Sequence, residues 1–167
     1  MSAKQSLTFW TIDYHFFLMG EPERAISRLG LPMDLVDFIE KEWGISTLHP
    51  PQAEAMPSVL SGRNTMVCIP TASGKSLVAF MGLVHQIRVA NVGSRGIYIV
   101  PLKALASEKQ EELKQLGEHI GLKIGLGIGD ATHEAKQIDD CDILVCTSEK
   151  LDSLMRIASL SKMFVNA

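Results

Sequence analysis

Pro70-Thr71-Ala72-Ser73-Gly74-Lys75-Ser76 stands between an apolar run at 65–69 and a helix-like stretch that begins at residue 75. A loop so placed binds phosphate, because backbone N–H groups of a tight turn and of the first helical turn converge on one anion. The N-terminus of the helix adds a favourable field. Gly74 permits close backbone approach, Lys75 brings a cation to the β and γ phosphates, and Ser76 offers its hydroxyl to a Mg²⁺ ion. The glycine-first form of the pattern would need glycine at position 69, where this sequence has Ile69. Pro70-Thr71-Ala72 instead marks a subclass of the loop. The expected nucleotide contacts are therefore Thr71, Ala72, Ser73, Gly74, Lys75 and Ser76. Lys75 and Ser76 are expected to carry the catalytic contribution of the loop, and Ser76 the metal contact.

Hydrolysis asks for one group more, an acidic residue at the end of another strand that holds Mg²⁺ and orients water. Asp130, after Gly129, is the only strand-end candidate beyond the loop, together with Asp139, Asp140 and Asp142 ahead of a later strand, and none is followed by glutamate. The sequence therefore predicts nucleotide binding more directly than turnover.

The elements that must position the loop alternate. Leu35, Val36, Ile39 and Trp43 recur at helical spacing beside Asp34, Asp37, Glu40 and Glu42, and Gly44 ends the pattern. Pro50 and Pro51 disfavour helix just upstream, and a second helix is expected from Gln52 to about Leu60. Strands are expected at 65–69, 96–100, 123–128 and 143–146, with helices at 75–89, 104–116 and 148–160. Such alternation predicts an α/β fold with a mostly parallel sheet flanked by helices. The aromatic-rich segment at 7–19 is broken by Gly20 and Pro22. Residues 1–30 are expected to form an N-terminal extension packed on a single domain at 31–167.

Composition sets the limits. With 167 residues, 46% apolar and 21% charged, the chain can bury one substantial core and is not disordered throughout. Its formal charge of -3 gives no overall basic field, although a groove can be basic locally. Cys68, Cys141 and Cys146 all fall in β-like runs and are expected to be reduced core thiols. No apolar stretch approaches the roughly 20 residues needed to cross a bilayer. No membrane partner is expected, and the expected setting is cytoplasmic.

Several stretches together resemble the superfamily 2 helicases of the Asp-Glu-x-His class, in particular the archaeal DNA-repair branch related to the helicase part of polymerase theta. His49-Pro50-Pro51-Gln52-Ala53-Glu54-Ala55 resembles the adenine-reading motif of that family, and 69–76 its nucleotide loop. Pro101-Leu102-Lys103-Ala104-Leu105-Ala106-Ser107-Glu108-Lys109 resembles the motif that meets the nucleic-acid strand. Gly129-Asp130 and Thr147-Ser148-Glu149-Lys150, continuing through Asp152-Ser153-Leu154-Met155-Arg156, resemble the next two. The likeness runs over about 31–156 in the family's order.

The resemblance implies a RecA-like phosphate-loop domain that binds ATP or ADP with Mg²⁺ and contributes contacts to single-stranded or forked DNA. Gln52 would meet the adenine edge, and Pro101, Lys103, Gly129, Asp130, Thr147 and Arg156 would meet the nucleic acid. The family's Asp-Glu-x-His motif should follow Arg156 by a dozen or more residues, whereas the sequence stops at Ala167. The expectation is thus the N-terminal part of a first motor domain, whose second motor domain and accessory domains lie in a longer protein. An RNA helicase fragment, or a degenerate nucleotide-binding regulator without hydrolysis, stays open at this point.

Overall fold

The structure is a computed structural model that describes residues 24–70, 73–129 and 138–156. The aromatic residues of the segment at 7–19, with Thr71, Ala72 and Asp130, lie outside the described residues. The chain divides into two compact units, Met1–Ala90 and Asn91–Ala167.

In the first unit a short 3₁₀ turn, Ile26–Arg28, precedes helix α1, Met33–Glu42. Leu35, Val36, Phe38 and Ile39 of α1 are buried, as the helical spacing of its apolar residues predicts. Asp34, in the first turn of α1, accepts from the Leu35 N–H through one oxygen, and its other oxygen accepts from Arg88 Nη1 at 2.6 Å. Gly44 then stops the chain with φ +66°, a conformation that glycine adopts without strain. Trp43 stands edge-on to Phe38 and 6.1 Å from Phe80, so an aromatic group ties α1 to the helix that follows the phosphate loop.

Helix α2, Pro50–Leu60, opens on a capping box in which His49 and Gln52 exchange side-chain and backbone bonds. Helix α3, Lys75–His85, carries buried Leu77, Val78, Phe80, Met81 and Val84. At Gly82 a Cβ would collide with Val59, so this glycine lets α2 and α3 approach. The helix expected over 75–89 is real, but its last turn, Gln86–Ala90, is π-wound. Gln86 Nε2 donates to Leu60 O at 3.0 Å, which satisfies the end of α2.

The second unit holds a three-stranded parallel sheet in the order β1-β3-β2, with β1 Gly96–Val100, β2 Ile124–Gly127 and β3 Ile143–Thr147. Every residue of the central strand β3 is buried, so both of its faces are covered. Helix α4, Lys103–Ile120, packs on all three strands, and α5, Ser148–Met155, packs on β3. Leu144, Cys146 and Leu154 form one cluster with Ile138 and Cys141. These are the helix-flanked parallel strands expected of the α/β class.

Three expectations change in detail. The run at 65–69 is not a strand of the described sheet, and of its residues Thr65 alone stands in a β-bridge. Thr65, Val67 and Ile69 are half-buried while Met66 and Cys68 are exposed. Period-2 alternation specifies an extended chain, whereas a strand also needs a ladder of backbone bonds that local sequence does not supply. Cys68 falls on the outward side of this alternation, so it is an exposed thiol and not a core one. Helix α4 runs four residues past its expected end at 116 because Gly117 is a packing glycine, whose Cβ would lie 2.5 Å from Leu122 O. The stop is Gly121, at φ +74°.

Candidate nucleotide loop and nucleic-acid groove

The nucleotide loop belongs to the first unit. Gly74 has φ +73° and forms the N-cap of α3, and Leu77 N donates back to Gly74 O at 3.2 Å. This left-handed residue opens the helix, whose N-terminus faces the loop's side of the chain. Lys75 Nζ donates to Ile69 O at 2.7 Å and to Pro70 O at 2.8 Å. The ammonium thus sits over the loop's own carbonyls, which a phosphate oxygen would replace. Ser73 is half-buried, and Ser76 is half-buried on the first turn of α3.

Gln52 is only 2% exposed. Its Oε1 accepts from His49 N at 2.8 Å, while Nε2 donates to Ser73 O at 3.1 Å and Gly74 O at 3.0 Å. Both ends of the amide are engaged within the protein, binding the start of α2 to the phosphate loop. The family resemblance implies a base-facing amide at this position, with a helix-capping glutamine as the other reading. The residue three positions after the N-cap is also the site at which glutamine closes a capping box, and that signal was present in His49-Pro50-Pro51-Gln52.

The second unit gathers the other set. Because the strands are parallel, their C-terminal ends share one edge of the sheet, with Val100 level with Thr147 and Gly127 level with Cys146. Ligands of open parallel sheets bind beyond this edge. Here Pro101, Lys103, Gly129 and Thr147 line one open groove of about 450 Å³ with Leu102, Ile128, Glu149, Lys150 and Ser153. Four of the six residues expected to meet nucleic acid are therefore brought together. Asp130 lies outside the described residues.

Arg156 stands apart, at the C-cap of α5. It grips Asp152 through Nε at 2.9 Å and Nη2 at 3.1 Å, and this bond raises its pKa further. Eight residues of helix put it about 12 Å along the axis from the groove end of α5.

Thr147 is the last residue of β3 and also the N-cap of α5, and its Oγ1 accepts from Lys150 N at 3.3 Å. Glu149, exposed on the same turn, has its carboxyl held below the usual carboxylate range. Its own backbone N–H is the main cause, followed by the Thr147 hydroxyl, with smaller help from Ser148 and Lys103. A carboxylate of this chain therefore takes donors at the helix N-terminus, where a phosphate would otherwise find them. Lys150 is 8% exposed, and its Nζ donates to Gly129 O at 2.5 Å. Neither Glu149 nor Lys150 had been assigned a role from sequence. The absence of any loop between β3 and α5 puts both at the sheet edge.

Among the described residues no group of three or more His, Cys, Asp or Glu side chains could hold a metal ion. Ser76, the residue expected to offer a hydroxyl to Mg²⁺, lies on the first turn of α3. The described residues include no helix long and apolar enough to cross a membrane.

Comparisons with known proteins agree with these motifs. The family described as DEAD/DEAH box helicase matches residues 49–165. An ATP-dependent DNA helicase Hel308 from Pyrococcus horikoshii is 46% identical over 120 residues, covering 71% of this chain and 16% of that protein. The Hel308 of Methanocella arvoryzae is 44% identical over 136 residues, covering 78% of this chain and 18% of its own length. The chain thus spans less than one fifth of the curated relatives it matches. Among solved structures, the RNA-helicase Prp28 from Chaetomium thermophilum bound to ADP aligns with TM-score 0.66 and 23% identity, over 80% of this chain and 35% of that one. The yeast splicing factor Prp28 aligns with TM-score 0.63 and 20% identity, over 78% of this chain and 34% of that one. At those identities the two structures support the fold alone.

Proposed function

The chain belongs to the DEAD/DEAH box helicase family, and on that footing we propose that it is the nucleotide-holding part of the first motor domain of an ATP-dependent DNA helicase. The observation that carries this reading is the convergence of Pro101, Lys103, Gly129 and Thr147 on one groove at the C-terminal edge of a parallel sheet. Identity of 44–46% to archaeal DNA helicases favours DNA as the strand that lies there.

In this reading ATP or ADP sits on the 69–76 loop. Gly74 and the N-terminus of α3 receive the phosphates, Lys75 exchanges its two carbonyl partners for phosphate oxygens, and Ser76 supplies a hydroxyl to Mg²⁺. The metal, when bound, would neutralise phosphate charge. Thr71, Ala72 and Ser73 complete the loop. Gln52 acts on the nucleotide through Ser73 and Gly74, whose carbonyls it holds.

The strand is bound through its phosphates, with Lys103 as the cation and Thr147 and Gly129 at the rim, so it is positioned and its bases are not read. Asp130 and Arg156 extend this contact set. Hydrolysis, unwinding and a place in DNA repair belong to the longer protein, in a cytoplasmic setting. A second motor domain there would close on the nucleotide.

Fluorescence anisotropy of labelled oligo(dT) and oligo(U) with this chain tests the reading. Weak binding of oligo(dT) that falls as salt rises is expected. Tighter binding of oligo(U) would move the assignment to RNA, and no binding of either would overturn the groove's role.

A further inference from the structure

Lysine is among the residue types least often buried, because an ammonium removed from water needs a partner. Lys150 is 8% exposed. Its Nζ donates to Gly129 O at 2.5 Å, and its Cγ lies 3.4 Å from where a Cβ on Gly127 would stand. The stem therefore runs over the end of β2, and its head closes on the residue two further along. Its backbone N–H donates to Thr147 Oγ1 at 3.3 Å. One residue thus joins the ends of β2 and β3 in the groove, which Gly129, Thr147 and Lys150 all line.

We infer that Lys150 is a positioning residue, which holds the Gly129 carbonyl on its ammonium and so fixes Ile128 and Gly129 after β2 in the form that admits a phosphate. This rests on the proposed function. A carbonyl oxygen at the rim of a phosphate site repels the phosphate oxygens. Held on an ammonium, it is turned away from that duty and its partial charge is offset. Gly127 is part of the device, because a Cβ there would lie 3.2 Å from Cys146 Cβ as well as against the Lys150 stem. Lys103, by contrast, is exposed on the first turn of α4 and is suited to meet phosphate directly.

The two roles give different salt dependences. A cation that touches a phosphate contributes about 0.7 to the log–log salt slope for a single strand, and a positioning group contributes none. Labelled oligo(dT) is titrated into the parent chain and into Lys150→Met, Lys150→Arg and Lys103→Ala across a salt series. Amide exchange over 124–129 is followed without DNA. Lys150→Met should lose about tenfold in affinity with its slope unchanged, and exchange should quicken at 127–129 alone. Lys103→Ala should lower the slope.

Lys150→Arg keeps the charge but spreads it over a planar fork, so it should bind weakly if position matters. If Lys150→Met does not fold, Lys150→Arg decides by the same readings. Parent-like binding by Lys150→Arg, or a slope lowered by Lys150→Met, would assign Lys150 to direct charge contact and overturn the inference. No binding by the parent would instead overturn the proposed function. Binding by the parent that Lys150→Met leaves intact would overturn this inference alone.

Discussion

Gln52 Nε2 donates to Gly74 O at 3.0 Å, and a Cβ added to Gly74 would collide with that same nitrogen. The amide and the glycine are fitted to each other. Two hydrogen bonds from Gln52 thus tie the first turn of α2 to the loop ahead of α3.

Gln52→Ala should lower stability by about 1 kcal/mol, because two part-buried loop carbonyls lose a donor. Affinity for ATP, GTP and base-free tripolyphosphate should fall in parallel, since the loop itself is loosened. Thermal melts and calorimetry read both effects. Unchanged tripolyphosphate affinity with a collapsed preference for ATP over GTP would instead assign Gln52 to the adenine edge.

The three cysteines should separate by reactivity. Burial above all pushes the Cys146 thiol up to about 11, and burial raises Cys141 also, while Cys68 is exposed. At pH 8 a thiol reagent should modify Cys68 quickly and the other two only after denaturant is added. Rapid modification of Cys146 in the folded chain would contradict the packing between β3 and α5.

Glu149 should oppose nucleic acid. Its carboxylate takes donors at the start of α5 and adds negative charge beside Lys103, so Glu149→Gln should tighten oligo(dT) binding by about twofold to fivefold at low salt and less at high salt. Its depressed pKa also has a sign for stability. The contribution is complete above the ordinary glutamate range and is lost as pH falls through the folded value. Melting curves of Glu149→Gln should therefore lack that part of the acid-side loss. Weaker binding by Glu149→Gln would assign the carboxylate a supporting role in the groove.

The fold class and the loop were legible in sequence because their signals are local. Gly74-Lys75-Ser76 must follow an extended run and open a helix, and the alternation of apolar runs with helical periodicity leads to parallel strands. Once those strands were ordered, Pro101, Lys103, Gly129 and Thr147 had to share an edge. Other features depend on partners distant in sequence. The run at 65–69 shows the right alternation yet lies outside the described sheet, and Cys68 falls on its exposed side. Gln52 faces inward because Ser73 and Gly74, some 21 and 22 residues on, take its amide. Lys150 reads as a surface charge until β2 places Gly129 beneath it, 21 residues away. Arg156 belongs to the last of the motifs, yet it stands at the far end of α5 and pairs with Asp152 one turn back.

Calorimetric titration of ADP and ATP, with Mg²⁺, into the parent chain and Lys75→Ala tests the central claim most directly. The account predicts measurable binding by the parent and a loss of about tenfold to a hundredfold in Lys75→Ala, the size expected when a charged hydrogen-bond donor to phosphate is removed. Equal affinity in the two proteins, or no heat from the parent at any nucleotide concentration, would contradict it.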